Sequence, residues 1–206
     1  MELNKIYNIC CLEFMKTLPD KCIDLCLTDP PYGIGADMEK EHNGWKDYGQ
    51  KGWDTDRPSK EIFDEIFRIS KNQVIWGGNY FIDYLYPTMC WLVWDKGQRE
   101  FSLADGELAW TSFDKAMRIF TYSRGAFLGN EKFDRVHPTQ KPVKLSEWIL
   151  EKYAKEGDII FDPFAGSGTF LVSAQNLGFN YIGCELDKDY FEIAEKRLGF
   201  IKQRLF

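Results

Sequence analysis

Ile159-Ile160-Phe161-Asp162-Pro163-Phe164-Ala165-Gly166-Ser167-Gly168-Thr169 is the stretch whose reading decides the fold. Three apolar residues that run into an acid read as a short buried strand. The glycines then mark a tight turn, and Thr169–Leu177 reads as the helix that follows. Glycines at such a turn let the backbone approach a ligand closely, and the helix N-terminus behind them favours negative charge. Tyr181–Cys184 reads as a second strand, and it ends at Glu185, 19 residues beyond Gly166. An acid about 20 positions past the glycines is placed to hold ribose hydroxyls. The unit is therefore a βαβ fragment with a site for an adenosine-containing cofactor.

The kind of cofactor narrows on two points. The third glycine of the dinucleotide fingerprint falls at Leu171, which disfavours NAD, and the absence of GxxxxGK[ST] excludes a P-loop nucleotide. Asp162, an acid at the strand end, repels a pyrophosphate and welcomes an ammonium group. S-adenosylmethionine has that ammonium, a ribose and no phosphate. A further segment, His137-Pro138-Thr139-Gln140-Lys141-Pro142, directly precedes a helix. Free amides at that helix start, with Thr139 and Lys141, would attract a carboxylate such as the methionine end of this cofactor.

A second strand end stands far upstream. Cys22-Ile23-Asp24-Leu25-Cys26-Leu27 is an apolar run that closes in Thr28-Asp29-Pro30-Pro31-Tyr32-Gly33. Neither proline carries an N–H, so the ladder stops there and the backbone is held extended. The Asp29 carboxylate and the Pro30 carbonyl are then free to accept hydrogen bonds beside the flat ring of Tyr32. Two acceptors and an aromatic plate suit an exocyclic amine on a planar ring, such as a nucleobase.

Between these motifs, strands and helices alternate. Ser59 starts a helix with Ile62, Phe63, Ile66 and Phe67 on one face. Gln73–Trp76 and Thr88–Trp94 read as strands with a short helix around Tyr80–Leu85 between them. Leu108–Phe113 and Met117–Tyr122 read as a strand pair joined by Asp114-Lys115, and Pro142–Ala154 and Asp189–Phe206 as amphipathic helices. This order predicts one α/β domain over 1–206 with a mostly parallel sheet. Residues 34–58, Gly-rich with interspersed aromatics, read as a mobile loop, and 97–135 as a small region of little periodicity.

Composition sets bounds on partners. At 206 residues the chain suffices for one substantial core, and 44% hydrophobic with 28% charged residues is ordinary for a globular protein. No apolar run reaches bilayer-spanning length and the N-terminus lacks a signal pattern, so a cytoplasmic location without membrane contact is expected. The six cysteines show no CxxC pair, and with only His42 and His137 beside them no metal site is expected. Net charge is −6, yet residues 96–144 carry nine Lys/Arg against six Asp/Glu. A locally basic surface on an acidic protein is compatible with nucleic acid.

Taken together, these residues resemble the beta-class amino-methyltransferases of DNA, which methylate adenine N6 or cytosine N4. The resemblance spans nearly the whole chain. Thr28 to Gly33 resembles the family's catalytic motif, Asp162 to Thr169 its cofactor loop, Gly183-Cys184-Glu185-Leu186 its ribose-binding strand end, and His137 to Pro142 the motif before the cofactor half. Gly77-Gly78-Asn79-Tyr80-Phe81 and Trp91-Leu92-Val93-Trp94-Asp95-Lys96 are similar to further family segments. The catalytic motif precedes the cofactor loop, which is the circularly permuted order.

The resemblance implies a Rossmann-like sheet with helices on both faces and a reversed final strand. It implies a site-specific methyltransferase acting on double-stranded DNA by base flipping, with 97–135 as target-recognition region and a homodimer as one way for so short a chain to hold DNA. Asp29, Pro30, Pro31 and Tyr32 would be catalytic. Cys10, Cys11, Asp29, His137, Thr139, Lys141, Asp162 to Thr169, Glu185 and Leu186 would hold S-adenosylmethionine. Asp at position 29 favours adenine over cytosine; a catalytically silent DNA-binding module is the reading of a different class. One departure stands out: where the family's opening strand carries an acid for the cofactor's adenine amine, this chain has Cys10. Weaker cofactor binding than the family norm is expected, unless Glu13 reaches in.

Overall fold

In a computed structural model the described residues are 1–35, 56–99, 104–123, 125–126 and 140–204. They form one sheet of eight strands: β1 Lys5–Tyr7, β2 Ile23–Thr28, β3 Ser70–Trp76, β4 Leu92–Asp95, β5 Gly106–Thr111, β6 Arg118–Thr121, β7 Ile159–Asp162 and β8 Asn180–Cys184. Their order across the sheet is β1-β8-β7-β2-β3-β5-β4-β6. The helices are α1 Cys11–Lys16, α2 Lys60–Ile69, α3 Val143–Tyr153, α4 Thr169–Asn176 and α5 Lys188–Arg204, with a 3₁₀ turn at Gly78–Tyr80.

Burial explains the central strands. Ile23, Leu25, Cys26, Leu27 and Thr28 of β2 are all buried, as are Ile160 and Phe161 of the adjacent β7. A strand covered on both faces reads as a continuous apolar run, the pattern both segments show. Leu145, Ile149, Phe170, Leu171, Ala194 and Leu198 of α3, α4 and α5 join one apolar cluster with Leu25, Leu27 and Ile160. Met15 of α1 and Ile66 and Ile69 of α2 join another with Cys26, Phe161 and Ile182. Helices therefore cover both sheet faces. Each fully buried Leu, Ile or Phe contributes about 1.5–3 kcal/mol of hydrophobic stabilisation. No helix among the described residues is long and apolar enough to cross a membrane.

The sheet is mostly parallel with one reversed strand, but that strand is not the last. It is β5, antiparallel to both β3 and β4 and placed between them. The glycine-turn half of the sheet, β7 and β8, ends the chain, so the reversed strand falls mid-chain. β4 and β5 form a hairpin closed by Lys96 N donating to Asp105 O at 2.9 Å. The Leu108–Phe113 and Met117–Tyr122 segments both contribute strands, but β5 and β6 are not neighbours; β6 runs parallel to β4 on its far side. At the N-terminus β1 ends at Tyr7, and Cys11 opens α1, which was not expected. Most of the 34–58 loop and much of 97–135 lie outside the described residues.

This topology gathers the C-terminal ends of β1, β8, β7, β2, β3, β4 and β6 along one edge. β5, being reversed, brings its first residues to the same edge. Strand order changes direction between β7 and β2, the position at which open α/β sheets bind ligands.

Candidate active site

The two motifs meet at that change of direction. β2 and β7 are paired, with Cys26 opposite Phe161, so Thr28 and Asp162 come side by side at the edge. Thr28 Oγ1 donates to Asp162 Oδ1 at 2.7 Å, and Phe164 N donates to the same oxygen at 3.1 Å. Asp162 is 1% exposed. Burial pushes its carboxyl up to about 8, against the pull of the Thr28 and Phe164 donors and with help from the Asp29 and Glu185 charges. A cation placed against it would restore its ionised form.

Asp29, one residue beyond β2, is not the free acceptor expected from sequence. Its Oδ1 accepts from the Tyr32 hydroxyl at 2.5 Å, and its Oδ2 takes Lys141 Nζ at 2.5 Å. Burial raises its carboxyl above the usual range, Lys141 opposes that, and Glu107 reinforces it. Tyr32 is likewise engaged. Its ring stacks on Tyr80 with centroids 4.7 Å apart and 15° between planes, and Phe81 meets it edge-on at 6.2 Å. The aromatic plate is thus a two-ring stack, with Tyr80 37% exposed on its outer side. Gly77, the residue after β3, has φ +66° and packs directly against the Tyr32 ring.

Lys141 departs most from expectation. Rather than facing a carboxylate at the start of α3, its ammonium is inserted between Asp29 and Glu107, 2.9 Å from Glu107 Oε2. It is 5% exposed. Burial would lower its pKa, but the two carboxylates win and hold it charged. The other Glu107 oxygen takes Lys96 Nζ at 2.7 Å. Burial would raise the Glu107 carboxyl, yet Lys141 and Lys96 hold it at about 2. Two cations and two anions alternate, so the largely buried cluster is formally neutral, the condition under which buried charge is tolerated.

The glycine loop sits on the other side of Asp162. Gly168 adopts φ +79° where it caps α4, and Gly166 at φ +52° has open space where a Cβ would project, leaving its backbone approachable. Ser167 O accepts from Arg197 Nη1 at 2.6 Å, which ties the loop to α5. Glu185, just past β8, accepts Gly166 N through Oε2 and Asp187 N through Oε1, both at 2.7 Å. Burial raises its carboxyl. Leu186 beside it is 73% exposed, and Asn8 Nδ2 donates to Glu185 O and Leu186 O, joining β1 to this corner. Pro163 and Ala165 are buried, whereas Phe164 is half-buried.

Cys10 is half-buried at the start of α1, while Cys11 turns into the apolar core with Met15, Cys26 and Cys184. The Cys11 thiol is therefore part of the core, and Glu13 is exposed. His137 and Thr139 lie outside the described residues. Thr28, Tyr80 and Lys96 fall in segments singled out from the sequence but were given no role there; Glu107 and Arg197 were not singled out at all. Glu107 had no local signal, because only strand reversal brings it to this edge. Among the described residues no group of three His, Cys, Asp or Glu is arranged to hold a metal ion.

Comparison with known proteins gives this geometry its context. The type II methyltransferase M.HinfI of Haemophilus influenzae is 29% identical, over 97% of this chain and 69% of that protein. The M1.HpyAVI–SAM complex superposes with a TM-score of 0.63 at 23% identity, covering 94% of this chain and 98% of that one. The cytosine-N4-specific PvuII DNA methyltransferase does so with 0.62 at 16% identity, covering 98% and 92%. These two superpositions establish a shared fold. A family model described as DNA methylase, of the N6/N4 type, matches residues 86–196, more than half of the chain. On that match, the chain belongs to the N6/N4 DNA methylase family.

Proposed function

We propose that this protein transfers a methyl group from S-adenosylmethionine to the exocyclic N6 of adenine in double-stranded DNA, with the target base flipped out of the duplex. The observation that carries the reading is the single hydrogen bond between Thr28 and Asp162. It brings the strand end at 28–32 beside the glycine loop, which supports reading the two as one site. A second copy of the chain, sharing the duplex, would compensate for the small recognition region at 97–135.

The residues fit the cofactor. Asp162 is a buried acid that a neighbouring cation would ionise. Glu185 uses each oxygen for one backbone amide, which leaves lone pairs for ribose hydroxyls. The Ala165–Gly168 turn, open at Gly166, admits a ligand close to its backbone. When bound, the cofactor supplies an electrophilic methyl group on a sulfonium centre.

The chain's own residues address the nucleophile. An exocyclic amine shares its lone pair with the ring and attacks poorly. Asp29 and the Pro30 carbonyl accept its two hydrogens, which favours a pyramidal nitrogen with an available lone pair. Asp29, whose carboxyl burial has raised, then receives the proton that the methylated nitrogen sheds. Tyr32 and Tyr80 form the flat wall against which the ring rests. Placement and fixed electrostatics supply the acceleration.

Adenine is preferred on the aspartate at position 29. The fold shared with a cytosine-N4-specific enzyme supports cytosine as the second reading. Incubating the protein with labelled cofactor and unmethylated genomic DNA, then identifying the methylated nucleoside by mass, separates them: N6-methyladenine is expected, and N4-methylcytosine overturns the assignment. Asp29→Ala should abolish transfer while cofactor binding persists. Unchanged transfer in that variant would remove Asp29 from the chemistry.

A further inference from the structure

The proposed chemistry needs the Asp29 carboxylate, yet both of its oxygens are taken by donors of the chain itself. Tyr32 OH can share Oδ1 with another donor, since a carboxylate oxygen has two lone pairs. Lys141 is a different kind of occupant. Its Nζ presents N–H groups to Oδ2, lies 3.4 Å from Tyr32 OH and sits 5.8 Å from the Tyr32 ring centroid. An N–H donor on Asp29 beside that ring is what the target amine itself would be.

The lysine also has a second resting place. Glu107 Oε2 is already 2.9 Å from Nζ, and Lys96 on the other Glu107 oxygen keeps that carboxylate ionised. A buried lysine that served only to neutralise Asp29 would need one partner. Here it bridges two, and it can release one without leaving the other.

We propose that Lys141 is a displaceable occupant of the target-amine position: it holds Asp29 until a base amine arrives, then withdraws onto Glu107 and leaves Asp29 to the base. This rests on the amine-methylation reading above. Lys141 and Glu107 are then positioning residues, since both act through Asp29. No bond is made or broken by the exchange; one N–H···O contact replaces another, and the ammonium stays next to Asp29, where its charge favours the Asp29 anion.

Ionisable groups face Asp29 from four elements: Tyr32 beyond β2, Lys141 before α3, Glu107 on β5 and Asp162 on β7. Lys141 favours the Asp29 anion and Glu107 disfavours it. Removing each charge must therefore move the titration of Asp29 in opposite directions, which a simple loss of packing does not do.

The test is steady-state methylation of genomic DNA with labelled cofactor from pH 5.5 to 9, for the wild type, Lys141→Met, Lys141→Arg and Glu107→Gln. Cofactor dissociation constants and melting curves accompany each. In Lys141→Met the acid limb of kcat/KM should move up by about one pH unit or more. At the high-pH plateau, above the acid limb, its KM for DNA should fall below the wild-type value by about threefold. Lys141→Arg should return the limb to its wild-type position. Glu107→Gln leaves Lys141 committed to Asp29, so its acid limb should move down while its KM for DNA rises about tenfold, or about 1.4 kcal/mol. If Lys141→Met does not fold, the Glu107→Gln shift decides. Limbs that move the same way or not at all, or an unchanged KM for DNA in Glu107→Gln, overturn the displacement. A wild type that methylates no DNA amine refutes the underlying reading instead. Transfer to cytosine N4 revises only the base and leaves the displacement test intact.

Discussion

Gly77→Ala is the sharpest probe of how the fold holds the aromatic plate. A Cβ at this position would lie 2.1 Å from Tyr32 Cε1, 2.5 Å from Cζ and 2.7 Å from Cδ1. The backbone has little freedom to yield, because Gly77 N donates to Leu108 O and Gly77 O accepts from Tyr80 N, both at 2.8 Å. Tyr32 must therefore move, straining its bond to Asp29 and its stack on Tyr80. Two costs add. A left-handed φ of +66° costs an alanine about 1–2 kcal/mol, and overpacking costs about 1–3 kcal/mol more. Gly157→Ala isolates the first, since Gly157 has φ +86° and nothing within 4 Å of where a Cβ would stand. Urea unfolding should show Gly77→Ala losing about 2–5 kcal/mol and Gly157→Ala about 1–2 kcal/mol. Single-turnover transfer should fall about 100-fold in Gly77→Ala, the scale of an ångström's misplacement of a reacting group, and stay near wild type in Gly157→Ala. Equal losses of stability in the two variants, or wild-type transfer by Gly77→Ala, would refute the reasoning.

Two further outcomes follow from the cofactor side. The Asp162 carboxyl titrates at about 8 against an ordinary 3.8, so its contribution to stability is full below pH 4 and is lost as pH rises through 8. Asp162→Asn, which keeps the acceptor for Thr28 and Phe164, should therefore gain stability relative to wild type between pH 5 and pH 8.5 in urea titrations. Parallel pH slopes in the two proteins would show that the group does not titrate there. Cys10→Asp should tighten cofactor binding about 5- to 150-fold, the worth of one charge-assisted hydrogen bond to the adenine amine at about 1–3 kcal/mol. Because Cys10 also stands at the N-cap of α1 without a side-chain cap bond, the new acid should stabilise that helix as well. The dissociation constant from calorimetry is the deciding readout, and an unchanged value sinks the idea.

What was legible in the sequence was local. The glycine turn at 166–168, the apolar runs of β2 and β7, and the Glu185 strand end each carry a short-range signature that burial and backbone geometry then obey. The sense of the sheet was legible from strands alternating with helices. Which strand reverses was not, since hydrophobic alternation is the same in either direction and only pairing decides. Asp29 was legible as an acceptor but not as an occupied one: its partner Lys141 lies 112 positions away. Glu107 left no trace at all, being one acid among many in a segment of mixed charge. Cys11 was named from the family resemblance; the helix that begins at that residue puts its thiol in the core.

The reversal of β5 is what makes the charge cluster possible. The strand has six residues, with Glu107 its second, at about 3.3 Å each. Run parallel to its neighbours, it would carry Glu107 to the far edge of the sheet, well over 10 Å from Asp29. Lys141 would then face one carboxylate, and leaving it would mean a bare buried ammonium, a state too costly to populate. With the strand reversed, Gly106 and Glu107 lie opposite Asp95 and Trp94 at the end of β4, and Lys96 follows in reach. The hairpin thus delivers both the second carboxylate and the cation that balances it to the edge where Asp29 stands. A single inverted strand in an otherwise parallel sheet is in this sense part of the site.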